Sequence, residues 1–139
     1  MMHNLASTTA ACNSQDPREL ERLSHDEDPM VRSYVAENRY TPIEVLVKLT
    51  DDTMPVVHTY LLRNPRISRE VCIKFLESTD ITTRREASVL AVKLYRQGIL
   101  QLEQKHLITI IKTLDKKADT LSIVEIVEEL HKIRENNVK

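Results

Sequence analysis

Arginine, histidine and tyrosine recur at one interval in this chain, and that recurrence is its most chemical feature. Arg32, His58 and Arg84 stand at a common offset of 26, and Tyr34 and Tyr60 keep the same interval two positions on. Cations beside aromatic rings at a fixed spacing can grip the carboxylates, phosphates or bases of a partner. The same residues also suit a structural role, in which Arg pairs with Asp26 or Asp52 and long side chains pack their stems. A second basic group is not periodic: Arg63, Arg66 and Arg69, with Arg39 at the matching earlier loop and Arg84-Arg85 further on. Loops carry function more often than core helices do, although a solvated surface is the ordinary place for charge. Arg32, Tyr34, Arg39, His58, Tyr60, Arg63, Arg66, Arg69, Arg84 and Arg85 are therefore the candidate partner-binding residues.

Other chemistry has little to stand on. Histidines fall at 3, 25, 58, 106 and 131, each without a second ligand type at metal spacing. His25 beside Asp26, Glu27 and Asp28 is the one tempting group, but a metal site needs three or four converging ligands. An acidic stretch ending in Asp28-Pro29 reads more simply as a helix cap. Nucleophile elbows, phosphate-binding loops and paired carboxylates are missing as motifs. The expectation is a chain with no catalytic residues, no metal and no cofactor. Cys12 and Cys72 are too few and too far apart to frame a disulfide scaffold, and they suit a reducing compartment.

The elements that would position these residues follow from composition. At 139 residues there is room for one domain or a short stack of repeats, and the single Phe and absent Trp leave the core to Leu, Ile and Val. One glycine in the chain is the most diagnostic count. Hairpins, bulges and phosphate loops all draw on glycine for positive φ, so an all-helical chain punctuated by Pro, Asp, Asn and Thr fits best. Net charge is -1, and it is distributed unevenly. Residues 1–28 carry 2 basic and 6 acidic side chains, residues 29–98 carry 11 and 8, and residues 99–139 carry 7 of each. The N-terminal MMHNLASTTAAC has neither a basic start nor a long apolar run, and so does not read as a signal peptide. No apolar run approaches membrane-spanning length. A soluble, cytoplasmic protein is expected.

The chain carries an internal repeat. At an offset of 26, Leu20 falls on Leu46 and Cys72, and Leu23 on Leu49 and Phe75. Asp26 falls on Asp52, Pro29 on Pro55, Val31 on Val57, Val35 on Leu61 and Asn38 on Asn64. Each unit reads as two short helices. The first starts at Asp16-Pro17 or Thr41-Pro42, with Asp or Thr as cap and Pro at the first helical position, and with Ser68 as cap in the next unit. The second starts near Asp28-Pro29 and Met54-Pro55, short enough for part to be 3₁₀. Asn38 and Asn64-Pro65 stop these second helices. In the third unit a longer helix, 83–95, carries Glu86 at capping-box spacing from Thr83 and ends at Gln97-Gly98. Two amphipathic helices follow, 102–114 and 120–134, the second with its stripe at Leu121, Val124, Val127, Leu130 and Ile133.

The stretch from Leu20 resembles the leucine-rich repeat variant family, a relative in shape of HEAT and armadillo repeats. Leu20, Leu23, Asp26, Asp28, Val31, Arg32, Val35, Ala36, Asn38, Thr41, Pro42, Glu44, Val45 and Leu46 match its pattern. The second unit departs with His58 for Arg and Leu62 for Ala, and the likeness covers residues 13–90. It implies a right-handed superhelix of paired short helices, and it implies Arg at position 32 as part of the repeat. It does not imply an activity. The clustered cysteines of the family's iron–sulfur members are not in this sequence. The fold expected is all-α: a single domain over 1–139, with about three repeats of ~26 residues in a short right-handed α-solenoid over 13–98. A helical hairpin over 99–139 would cap it. Marginal ten-residue helices need such stacking to bury their stripes. The function expected is a non-catalytic scaffold that binds a protein as adaptor, inhibitor or regulatory subunit; the alternative is a nucleic-acid-binding module using the Arg-rich face. An exposed solenoid end also leaves room for a homodimer.

Overall fold

The computed structural model describes residues 5–114, with the isolated positions 128 and 132. Among the described residues there are eight helices and no strand. They are α1 (Leu5–Asn13), α2 (Pro17–Leu23), α3 (Pro29–Glu37), α4 (Ile43–Leu49), α5 (Pro55–Leu62), α6 (Ser68–Phe75), α7 (Ile81–Arg96) and α8 (Gln104–Leu114). The expected helix over 120–134, and the turn before it, lie outside the described residues. The chain divides into two compact units, one ending at Val71 and the other beginning at Cys72, so that α6 carries the boundary.

In the first unit the punctuation residues start most helices as their chemistry dictates. Asp16 and Asp28 cap α2 and α3, accepting from Arg18 N–H at 3.0 Å and Met30 N–H at 2.9 Å, with Pro first in each helix. Thr41 behaves differently from the cap expected of it. The residue is fully buried and its hydroxyl donates to the Val35 carbonyl at 2.7 Å, so α4 starts after Pro42 with no side-chain cap. Ser68 is not a cap either, because its N–H already bonds the Asn64 carbonyl at 2.9 Å and places it inside the first turn. The second helices α3 and α5 are α-helical throughout.

Helix α3 is the centre of this unit, packed against α1 on one side and α5 on the other. Helix α2 packs on α3 and α4 on α5. Residues paired by the repeat offset share one environment: Leu20, Leu46, Val31, Val57, Val35 and Leu61 are all fully buried. Each such leucine contributes about 2 kcal/mol of transfer free energy. Helix α1 goes beyond the sequence expectation. Its residues are small and show no strong apolar stripe, and only Ala11 is buried; short side chains let the two backbones approach.

The second unit relies on length. Helix α7 begins two residues before the expected start, because Asp80 is its cap and accepts both the N–H and the hydroxyl of Thr83, at 2.8 and 2.9 Å. Thr83 is thus a buried helical residue and not the cap. The helix ends as expected at Gly98, whose φ of 73° is the left-handed conformation that glycine adopts without penalty. Gly98 N–H bonds Tyr95 and Ile99 N–H bonds Leu94, both at 3.0 Å, the two bonds of a Schellman stop. Helix α8 packs on α7 and opens with Glu103 N–H donating to His106 Nδ1 at 3.0 Å.

Candidate functional site

Two buried asparagines organise the loops on which the candidate residues sit. Asn38 Nδ2 donates to the carbonyls of Ala11 and Ser14, both at 3.0 Å, and its Oδ1 accepts Tyr40 N–H at 2.8 Å. Twenty-six positions further on, Asn64 Nδ2 donates to the Ala36 and Asn38 carbonyls at 2.9 and 3.2 Å, and Oδ1 accepts Arg66 N–H at 3.1 Å. Each amide reaches back to satisfy carbonyls at the end of an earlier helix and turns its own loop with the other atom. A buried backbone carbonyl left without such a donor is costly. Sequence alone marks these asparagines only as helix stops; the overlooked signal is their recurrence at the core interval, where a polar residue must be satisfied to be buried.

Arg32 is bound up within the unit. Its guanidinium meets the Asp52 carboxylate with Nε and Nη2, at 2.8 and 3.2 Å, while Nη1 donates to the Asp26 and Glu27 carbonyls. Asp52 also accepts Met54 N–H at 2.9 Å and so sets the entry to α5. Burial alone would push the Asp52 carboxyl up; the Arg32 guanidinium, the Met54 N–H and nearby His58 outweigh it and hold the group below the usual carboxylate range. Arg32 thus joins the turn before α3 to the turn before α5. In the second unit Arg84 makes the corresponding local bond, Nη1 to the Ser78 carbonyl at 2.8 Å, and Arg85 is exposed.

A different arrangement stands on the face of α3 and α5. The Tyr34 and Tyr60 rings meet edge to face, with centroids 5.8 Å apart and planes at 84°. That is the geometry aromatic quadrupoles favour. The Arg63 guanidinium lies 4.5 Å from the centre of the Tyr60 ring, and its Nη1 is 3.7 Å from Glu37 Oε2. The side chains of both Arg63 and Glu37 remain about half exposed, at 53% and 47%. Arg39 lies over the neighbouring Tyr40 ring at 5.6 Å. Arg66, itself exposed, reaches back to the earlier loop, Nη1 donating to the Arg39 and Thr41 carbonyls at 2.7 and 2.6 Å. Arg69 is exposed and within 3.6 Å of Glu70. The structure therefore gathers Tyr34, Tyr60 and Arg63, places Arg39 on the loop that Arg66 fastens, and engages Arg32 elsewhere.

The remaining features offer less chemistry. Partial burial, and then the charge of Glu37, push the Cys12 thiol up, away from thiolate reactivity. Asp26 accepts Asp28 N–H at 2.9 Å, so the acidic stretch after His25 works as turn and cap. Among the described residues no three His, Cys, Asp or Glu side chains cluster as metal ligands, and no helix is long and apolar enough to cross a membrane. In the second unit an open groove of about 430 Å³ is lined by Val89, Val92, Lys93, Arg96, Gln97 and Leu114. The chain matches no protein-family model, no curated protein and no solved structure.

Proposed function

We propose that this chain is a non-catalytic helical-repeat scaffold of the leucine-rich repeat variant kind, acting in the cytoplasm by binding another protein. The observation that carries the reading is the aromatic–guanidinium cluster of Tyr34, Tyr60 and Arg63, partly exposed on two adjacent helices. Tyr and Arg are the residue types that dominate protein interfaces, because each offers apolar area and directional polar groups together. The short right-handed solenoid is supported by the repeat register, by the succession of α1, α3 and α5, and by the asparagines that bond back across it. Neither Cys12 nor Cys72 is in a disulfide, which suits a reducing compartment.

Nucleic-acid binding through the arginines draws less support. Arg32 and Arg66 point their donors at a carboxylate and at carbonyls, and Arg63 and Arg69 each stand near a glutamate. A phosphate backbone, which gives such proteins their affinity through many cation contacts, would meet a glutamate beside two of these arginines. The test is a tagged pull-down from the native cell with nuclease present, comparing the wild type with a Tyr34→Ala/Tyr60→Ala variant. A discrete protein held by the first and lost by the second is the expected result. Partners that vanish with nuclease in the wild type would overturn the reading in favour of nucleic acid.

A further inference from the structure

We infer that the partner is gripped through carboxylates: Arg39 and Arg63 form a two-point clamp for an acidic protein segment. This rests on the protein-binding reading above and names the chemistry of the partner. The clamp is built from two loops that hydrogen bonds tie together. Asn64, the residue after Arg63, donates its side-chain amide to the carbonyl of Asn38, the residue before Arg39. Arg66 then donates to the Arg39 carbonyl itself at 2.7 Å. Both bearing residues thus flank one laced junction, and their positions are set by buried amides instead of by free loops.

Each guanidinium is backed by a ring, Arg39 by Tyr40 and Arg63 by Tyr60. Beside a ring the guanidinium still keeps its planar edge, where its N–H donors lie. That edge is the part that takes a carboxylate with two parallel bonds. Contact with the ring also limits the rotamer freedom lost when a partner binds. Tyr40 is itself 46% exposed and would cover the stem of the bound segment. Glu37 is the internal competitor. It stands 3.7 Å from Arg63, longer than a hydrogen-bonded pair, and holds the position that an incoming carboxylate would take.

The test uses the full chain and three fluorescein-labelled probes: a short Glu/Asp peptide, a Lys/Gln peptide of equal length, and a single-stranded oligonucleotide. Fluorescence anisotropy is expected to detect the acidic peptide and not the basic one. Arg39→Gln/Arg63→Gln should weaken it at least about tenfold, as loss of two charge-assisted pairs implies. A charge-matched control, Arg18→Gln/Lys48→Gln, should change it less than about twofold, the size of a long-range screened effect. Glu37→Gln should tighten binding, by freeing Arg63. Equal weakening by the control pair, or no effect of Glu37→Gln, would overturn the clamp, as would an oligonucleotide that binds more tightly than the acidic peptide. Circular dichroism checks that each variant keeps its helices; should the Gln pair fail to fold, Arg39→Lys/Arg63→Lys keeps charge and removes only the fork, and is expected to weaken the peptide severalfold. A protein partner that survives nuclease, is lost with Tyr34→Ala/Tyr60→Ala and is indifferent to Arg39→Gln/Arg63→Gln would leave the scaffold reading standing and remove this inference alone.

Discussion

The two compact units solve the same problem, short helices with little aromatic mass, by different means. The unit ending at Val71 uses seven- to nine-residue helices and ties them with side-chain hydrogen bonds that reach 20 or more positions along the chain: Asn38, Asn64, Arg32 and Arg66 each do this. The unit beginning at Cys72 uses the much longer α7, where the Asp80 cap, the Arg84 bond to Ser78 and the Gly98 stop are all local. A short helix exposes a larger share of unpaired ends, so the first unit needs latches where the second can rely on its own ladder. The lesson is that long-range side-chain latches here accompany short helices. It also explains why the candidate face lies in the first unit, since latched loops are what hold side chains still.

Breaking the comparison calls first for a core change. Leu61→Asp puts a charge at a fully buried position of α5 and should cost more than about 4 kcal/mol, enough to unfold the first unit. Circular dichroism would register the loss of helix, and a variant that kept its melting temperature would show the register to be wrong. Asn64→Ala comes next. It strips the Ala36 and Asn38 carbonyls of a buried donor and Arg66 N–H of an acceptor, at about 3 kcal/mol by denaturant titration. Arg32→Met leaves Asp52 with its N–H and no guanidinium, and should cost about 2 kcal/mol by the same titration. Gly98→Ala probes the other unit. A Cβ there meets nothing within 4 Å, so only the left-handed backbone is penalised, by about 1 kcal/mol in thermal melts.

A pH titration sharpens the same contrast. Asp52 has its carboxyl held below the ordinary value, which for an aspartate is about 3.9. A group depressed on folding contributes stability that is complete above its unfolded pKa and is lost as pH falls through the folded one. Acid unfolding monitored between about pH 5 and about pH 2 should therefore lose stability less steeply in Asp52→Asn than in the wild type. Equal slopes for both proteins would remove Asp52 as the acid-sensitive tie.

Much of the fold was legible because its signals are periodic. Leu20, Leu46, Val31 and Val57 announce themselves by interval and type, and Pro17, Pro29, Pro55 and Gly98 mark the boundaries within a residue or two. Helix α1 was not legible, since LASTTAACN is too small and too even to form a stripe and owes its place to α3. Thr41, Ser68 and Thr83 have the chemistry of caps yet serve within helices or between them. Side-chain chemistry names what a residue can bond, and only the fold decides which carbonyl is in reach. The candidate face was half legible. Tyr34, Tyr60 and Arg63 could be nominated by type and spacing, whereas the reach of Arg66 back to the Arg39 and Thr41 carbonyls and the place of Glu37 depend on how the helices close.

The asparagine latches also bear on how quickly the first unit comes together. Its cross-helix side-chain bonds join residues between 20 and 28 positions apart. Closing a loop costs entropy that grows with its length, and chains whose contacts are close in sequence fold fastest. Here the closures span similar lengths of chain, so each starts from a loop of about the same modest size. Assembly then resembles winding yarn on a spool more than tying a knot, with no slow search for a distant mate and no long interval in which apolar surface waits uncovered.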